Sequence, residues 1–201
     1  MIYTLEIETE INRIWRENHV SIFFRIYQAP KEDRCGSTKR EGTGKKMMKP
    51  IQFEHAHCIV EYGSGMGSFT RELIKRKNPD TKLFLIENNS VFYRRLKREF
   101  GEKEGVFLIF DSAEKINTYL KKYGVDTADY IVSGLPFTSL PAGVSKNIME
   151  ATQRAIGRRG KFITFQYSMA KRKFFSRYFV IVGRLLEFKN LPPAYVLVMR
   201  N

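Results

Sequence analysis

Three glycines and two acids carry the chemistry that can be read in this sequence. Gly63, Gly65 and Gly67 lie in the run I-V-E-Y-G-S-G-M-G-S-F-T (Ile59–Thr70), with Glu61 just ahead of them and Glu87 24 residues after Gly63. Glycine accepts backbone conformations closed to other residues and lets a ligand touch bare main chain. A helix starting just past such a turn aims its unpaired N–H groups and positive dipole end at the same ligand. By itself the turn fits a tight loop as well as a binding site. Glu87 adds something more specific: an acid about 20 residues past the glycines, at the tip of the adjacent strand, accepts both hydroxyls of a ribose. Turn and acid together indicate a nucleoside-containing ligand, whereas an isolated Glu87 would be an ordinary solvated strand end. The third glycine comes one residue too early for the dinucleotide fingerprint G-x-G-x-x-G.

These residues need strands before them and helices after them. The apolar run Cys58–Val60 reads as a buried parallel strand, and Phe69, Leu73 and Ile74 then fall at helical spacing, with Ser68 or Thr70 as the N-cap. Lys82–Ile86 is a second strand, ending at Glu87. Val106–Phe110, Tyr130–Val132, Lys161–Gln166 and Pro193–Met199 follow as further strands. Helical patterns occupy Ser90–Phe100, Glu114–Tyr123 and Val144–Ile156, and Gly157 and Gly160 bracket a basic turn before the fifth strand. Strands alternating with helices are the βαβ pattern of a parallel sheet.

The string E-Y-G-S-G-M-G resembles motif I of class I S-adenosylmethionine-dependent methyltransferases, and further matches run from about Phe53 to the C-terminus. The resemblance implies a Rossmann-like α/β fold: a central, mostly parallel seven-stranded sheet flanked by helices, its last strand antiparallel. It implies S-adenosyl-L-methionine as cofactor. Glu61, Gly63, Ser64, Gly65 and Gly67 would hold it at the turn, Glu87 and Asn88 at the second strand, and Asp111, Ser112 and Ala113 beside the adenine at the third. Ser133-Gly134-Leu135-Pro136-Phe137 falls where the family places its target amine.

Motif IV bears on the acceptor. Ribosomal RNA adenine N6-dimethylases are similar to this chain but carry Asn-Leu/Pro-Pro-Tyr/Phe there, and the Asn amide accepts a hydrogen bond from the adenine amine. This chain has Gly134 at the Asn position, and no residues follow Asn201 for the helical RNA-binding domain those enzymes append. S-G-L-P-F-T-S-L-P (Ser133–Pro141) instead resembles bacterial phospholipid N-methyltransferases, which methylate phosphatidylethanolamine. V-E-Y-G-S-G-M-G-S-F-T-R-E-L, F-Q-Y-S (Phe165–Ser168) and L-P-P-A-Y-V (Leu191–Val196) match the same family, while the charged Gly36–Lys49 departs from its more apolar segment. The implied acceptor site is Ser133–Leu135, whose carbonyls hold the amine, with Pro136, with Phe137 as a wall, and with Tyr167 to orient or deprotonate the amine.

Charge bears on partners. The formal net charge is +14, and residues 151–201 hold eleven Lys/Arg against the single acid Glu187, a local +10. Such crowding favours a polyanion, with an anionic membrane surface or phospholipid headgroup preferred here and RNA as the alternative. A folded module that binds cofactor or membrane without catalysis is a third reading, opposed by intact Glu61, Gly63, Gly65, Glu87 and Asp111. Cys35 and Cys58 form no disulfide framework. No apolar run reaches the roughly 18 residues of a membrane span, so the expected location is cytoplasmic, peripheral at the inner face of the membrane. His55 and His57 lack further ligands nearby, so no metal is expected. Oligomeric state is not readable.

Two segments are expected. Residues 1–50 comprise an N-terminal helix, interfacial or packed on the domain and ending near Pro30, followed by a basic stretch (31–50, seven Lys/Arg against three acids) that reads as a lid or a linker. Residues 51–201 form the methyltransferase domain as a single globular unit. The stretch 167–178 interleaves Lys171, Arg172, Lys173 and Arg177 with Phe174, Phe175 and Tyr178, which suits lipid headgroups, nucleic acid or a helical turn with one core face.

Overall fold

A computed structural model describes residues 46–166, 171–187 and 194–201, all within one compact unit, Ser37–Asn201. The proposed N-terminal helix, most of the basic stretch and Tyr167 lie outside the described residues. The strands are β1 (Cys58–Tyr62), β2 (Lys82–Ile86), β3 (Val106–Ile109), β4 (Ala128–Ser133), β5 (Ile156–Gln166), β6 (Val180–Glu187) and β7 (Ala194–Arg200). The helices are α1 (Ser68–Arg76), α2 (Ser90–Phe100), α3 (Ile116–Lys122), α4 (Ala142–Ala155) and the short α5 (Arg172–Phe175). The strand order is β3-β2-β1-β4-β5-β7-β6. β1 to β5 pair in parallel, and β7 runs antiparallel between β5 and β6. This is the Rossmann-like sheet expected, reversed last strand included.

The sheet is covered on both faces, so its central strands are apolar without alternation. All five residues of β1 are buried. Cys58, Val60 and Tyr62 pack with Ile116, Leu120, Ile148 and Met149 of α3 and α4, and with Phe175. Ile59 faces the other way, with Phe69 and Leu73 of α1 and with Met47 and Met48. The last residues of the basic stretch are therefore core: residues 46–48 are helical, Met47 and Met48 are wholly buried, and Lys161 Nζ donates to Pro50 O at 3.0 Å.

Three local expectations are corrected. α1 is capped by neither Ser68 nor Thr70: its N-cap is Gly67, at φ 76°, and a Cβ there would lie 2.9 Å from the Phe100 ring. The basic turn at Gly157 and Gly160 is part of β5, where an irregularity in the pairing with β4 absorbs it. A Cβ on Gly160 would come within 2.9 Å of Ala128 O, so the glycine permits a close strand approach rather than a turn. Finally, β6 has no strand signal in the sequence. It is the sheet's edge, with Val180 and Val182 exposed and a register shift between Ile181 and Gly183, so neither continuous burial nor clean alternation marks it.

Candidate functional site

The ends of β1, β2, β3 and β4 bring the sequence candidates to one edge of the sheet. At β1 the chain turns through Gly63, Gly65 and Gly67, with φ of 65°, 52° and 76°. All three lie in the left-handed region that costs a residue with a Cβ about 1 kcal/mol or more. Gly63 N donates to Ile86 O at 2.9 Å and Gly67 N to Ser64 O at 2.8 Å, which closes the turn.

Glu87 braces that turn from the next strand. Its Oε2 accepts from Gly65 N at 2.8 Å and its Oε1 from Asn89 N at 2.9 Å. Asn89 also caps α2, its Oδ1 accepting from Val91 N and Phe92 N, while Asn88 beside it is exposed. Burial pushes the Glu87 carboxyl above its ordinary range, opposed by the N–H groups of Asn89, Gly65 and Asn88.

Glu61 lies beneath the turn, wholly buried, its Oε2 accepting from Thr70 Oγ1 at 2.7 Å. Burial pushes its pKa from 4.5 up to about 8; the Thr70 hydroxyl partly offsets this, and the charge of Glu87 adds to it. Glu61 Oε1 and Ser64 Oγ are buried without a hydrogen-bond partner of good geometry. Buried polar atoms are normally satisfied; the Ser64 hydroxyl acts on the Glu61 carboxyl, and the imperfect pair leaves room for a ligand's polar groups at the glycine turn. The turn is also open: a Cβ on Gly65 would meet nothing within 4 Å except Gly63 O, at 3.9 Å. Bare backbone, two acids and an imperfectly paired Ser64 hydroxyl fit a cofactor that carries a ribose and a positive charge.

At β3, Asp111 Oδ1 accepts from Ser112 N and Oδ2 from Tyr119 Oη, both at 2.7 Å. That bond raises the Tyr119 pKa. Ser112 caps the following 3-10 turn and Ala113 is buried.

At β4 the acceptor loop is locked to the glycine turn. Gly134 N donates to Tyr62 O at 2.9 Å and Leu135 N to Ser133 Oγ at 3.2 Å. A Cβ on Gly63 would lie 2.7 Å from Leu135 Cδ2, and one on Gly134 would lie 3.0 Å from Gly63 O. Pro136 is half-buried between them and Phe137. The Phe137 ring is wholly buried, edge-on to Phe175 at 5.3 Å and to Phe162 at 6.4 Å. It thus anchors the loop in the core and presents no open wall in this structure, because the apolar cluster beneath β4 takes the ring up. The sequence reading missed Thr70 and Tyr119. Thr70 reads in the sequence as a helix cap, and nothing local distinguishes Tyr119 from a core residue of α3. Among the described residues no group of three or more His, Cys, Asp or Glu side chains is placed to hold a metal ion.

No protein-family model matches the chain. A curated relative, the ornithine lipid N-methyltransferase of Singulisphaera acidiphila, is 28% identical over 149 residues, which is 73% of this chain and 77% of the relative. Among solved structures, the N-methyltransferase NodS from Bradyrhizobium japonicum WM9, in complex with S-adenosyl-L-homocysteine, superposes with a TM-score of 0.64 at 11% identity, over 85% of this chain and 89% of that one. The Burkholderia thailandensis 1,6-didemethyltoxoflavin-N1-methyltransferase, also with S-adenosylhomocysteine, gives 0.69 at 10% identity, over 96% and 89%. The fold is that of the class I S-adenosylmethionine-dependent methyltransferases. The curated relative narrows the likeness to enzymes that methylate nitrogen.

Proposed function

We propose that this chain is an S-adenosylmethionine-dependent N-methyltransferase acting on the amino group of a lipid headgroup. The observation that carries the choice of acceptor is the packing of Gly134. The adenine enzymes that resemble this chain carry an Asn at that position, and here a Cβ would come within 3.0 Å of Gly63 O. The side-chain amide is absent, and a Cβ there would press on Gly63 O, which would have to give by a few tenths of an ångström. The likeness of Ser133–Pro141 to phospholipid N-methyltransferases and the 28% identity to an ornithine lipid N-methyltransferase support a lipid amine instead.

When bound, the cofactor supplies a methyl group on a sulfonium, a strong electrophile. The backbone of Gly63–Gly67 and the carboxyl of Glu87 would hold it, Glu61 would lie beneath the turn on the side of the cofactor's positive charge, and Asp111–Ala113 would flank the adenine. The chain's remaining task is alignment and the exclusion of water, which supply most of the rate in a displacement of this kind. An ammonium cannot attack, so the headgroup amine must first lose a proton. Ser133 O accepts from Thr164 Oγ1 and Leu135 O from Phe137 N, and each carbonyl keeps a second lone pair, so the Ser133–Leu135 carbonyls are the ones we assign to the amine's remaining N–H groups. Tyr167 is the proposed residue for the proton.

The test offers labelled cofactor with vesicles of ethanolamine phospholipid, of ornithine lipid, or of choline phospholipid, which has no N–H to replace. Label is expected in one or both amine lipids and none in choline lipid. Label in neither amine lipid would overturn the reading.

A further inference from the structure

The end of β3 is held by a chain of hydrogen bonds that cofactor binding alone does not require. From α3, Tyr119 Oη donates to Asp111 Oδ2 at 2.7 Å, while Ser112 N donates to Oδ1 at 2.7 Å. Ser112 Oγ donates to Glu114 Oε2 at 2.9 Å, and from α4 Asn147 Nδ2 donates to Glu114 Oε1 at 2.8 Å. The Asp111–Ala113 turn is thus tied to α3 on one side and to α4 on the other. Its neighbour Phe110 is 53% exposed, 5.0 Å from the Tyr93 ring, which leaves an apolar surface beside a fixed carboxylate.

A partly exposed aspartate ordinarily samples several rotamers. Here both oxygens are directed, and each retains a second lone pair. A purine with an amino group at C6 can donate to such an oxygen; one with a carbonyl there presents an acceptor and is repelled. Holding the carboxylate in one orientation therefore matters most for telling these two rings apart, since selectivity is strongest where a fixed polar group would be left unpaired. We propose that Tyr119 is a positioning residue that fixes Asp111 for selection of a 6-amino over a 6-oxo purine in the cofactor. The inference rests on the cofactor reading above.

The experiment is calorimetry of the full chain with S-adenosylhomocysteine and with its inosine counterpart. Wild type should prefer the adenine form by about tenfold or more, the weight of one hydrogen bond to a charged group. Tyr119→Phe should retain its thermal midpoint yet lose most of that preference. Tyr119→Leu also gives up ring packing on the core and so lowers the midpoint, and it should lose the preference to the same extent. If Tyr119 acts through Asp111, then Asp111→Ala removes the preference and adding Tyr119→Phe to it changes nothing further. A Tyr119 variant that keeps the wild-type ratio overturns the proposal, as does a further loss in the Asp111→Ala background. Wild type binding both forms equally also overturns it while leaving the cofactor reading intact. Wild type binding neither form removes the cofactor reading itself.

Discussion

Glu61 shows what the site asks of a single residue. It is a wholly buried acid, with one oxygen bonded to Thr70 and the other near the Ser64 hydroxyl without a well-formed bond, and its pKa rises from 4.5 to about 8. In the unfolded chain the carboxyl ionises near its ordinary value. Between the two values the folded state therefore holds more protons, and stability must fall as pH rises through that window. The expected outcome is that the ligand-free chain loses denaturant midpoint from about pH 5 to about pH 8 and levels off above. Glu61→Gln keeps an acceptor for Thr70 and should flatten most of that decline, with a remainder from Glu87, which burial shifts in the same direction. A midpoint that climbs over this range contradicts the assignment. Glu87→Ala leaves Gly65 N and Asn89 N without their acceptor, and calorimetry should show cofactor affinity weakened by about 1–3 kcal/mol.

Among the elements, the strand ends do the positioning, and the loop after β4 is anchored rather than draped. Phe137 is buried against Phe162 and Phe175, so Phe137→Ala should cost about 3–5 kcal/mol of stability, read as a lowered denaturation midpoint. An unchanged midpoint would mean the loop is not held by that ring. The interlock of Leu135 with Gly63 and of Gly134 with Gly63 O means that bulky changes at either position should disturb cofactor and acceptor together. These same elements show what the sequence made legible. Continuous apolar runs ending in Glu61, Glu87 and Asp111 marked β1 to β3, because buried parallel strands have no polar face to confuse the pattern. Glycine spacing marked the turn, because only glycine fits its dihedrals. β6 was illegible because an edge strand is half in water and its bulge breaks the period. Tyr119 and Thr70 were illegible because their partners, Asp111 and Glu61, come within reach only once helices pack on the sheet.

At the scale of the whole molecule, most basic side chains of the C-terminal quarter face solvent among the described residues. Arg154, Arg158, Arg159, Arg172, Lys173, Arg177, Arg184 and Arg200 are all exposed, and no helix among the described residues is long and apolar enough to cross a membrane. If the lipid substrate is met at an anionic bilayer, binding to anionic vesicles should weaken as salt is added, since exposed charges are screened over about 10 Å at 0.1 M. Equal binding to neutral vesicles would remove charge from the account. Basic charge would serve RNA as well, so the acceptor has to be settled by chemistry. The most direct measurement offers ethanolamine or ornithine lipid vesicles and ribosomal RNA together to the full chain with methyl-labelled S-adenosylmethionine, then counts label in each fraction. The account predicts label on the lipid headgroup nitrogen and none above background on RNA; label on RNA with unlabelled lipid would contradict it.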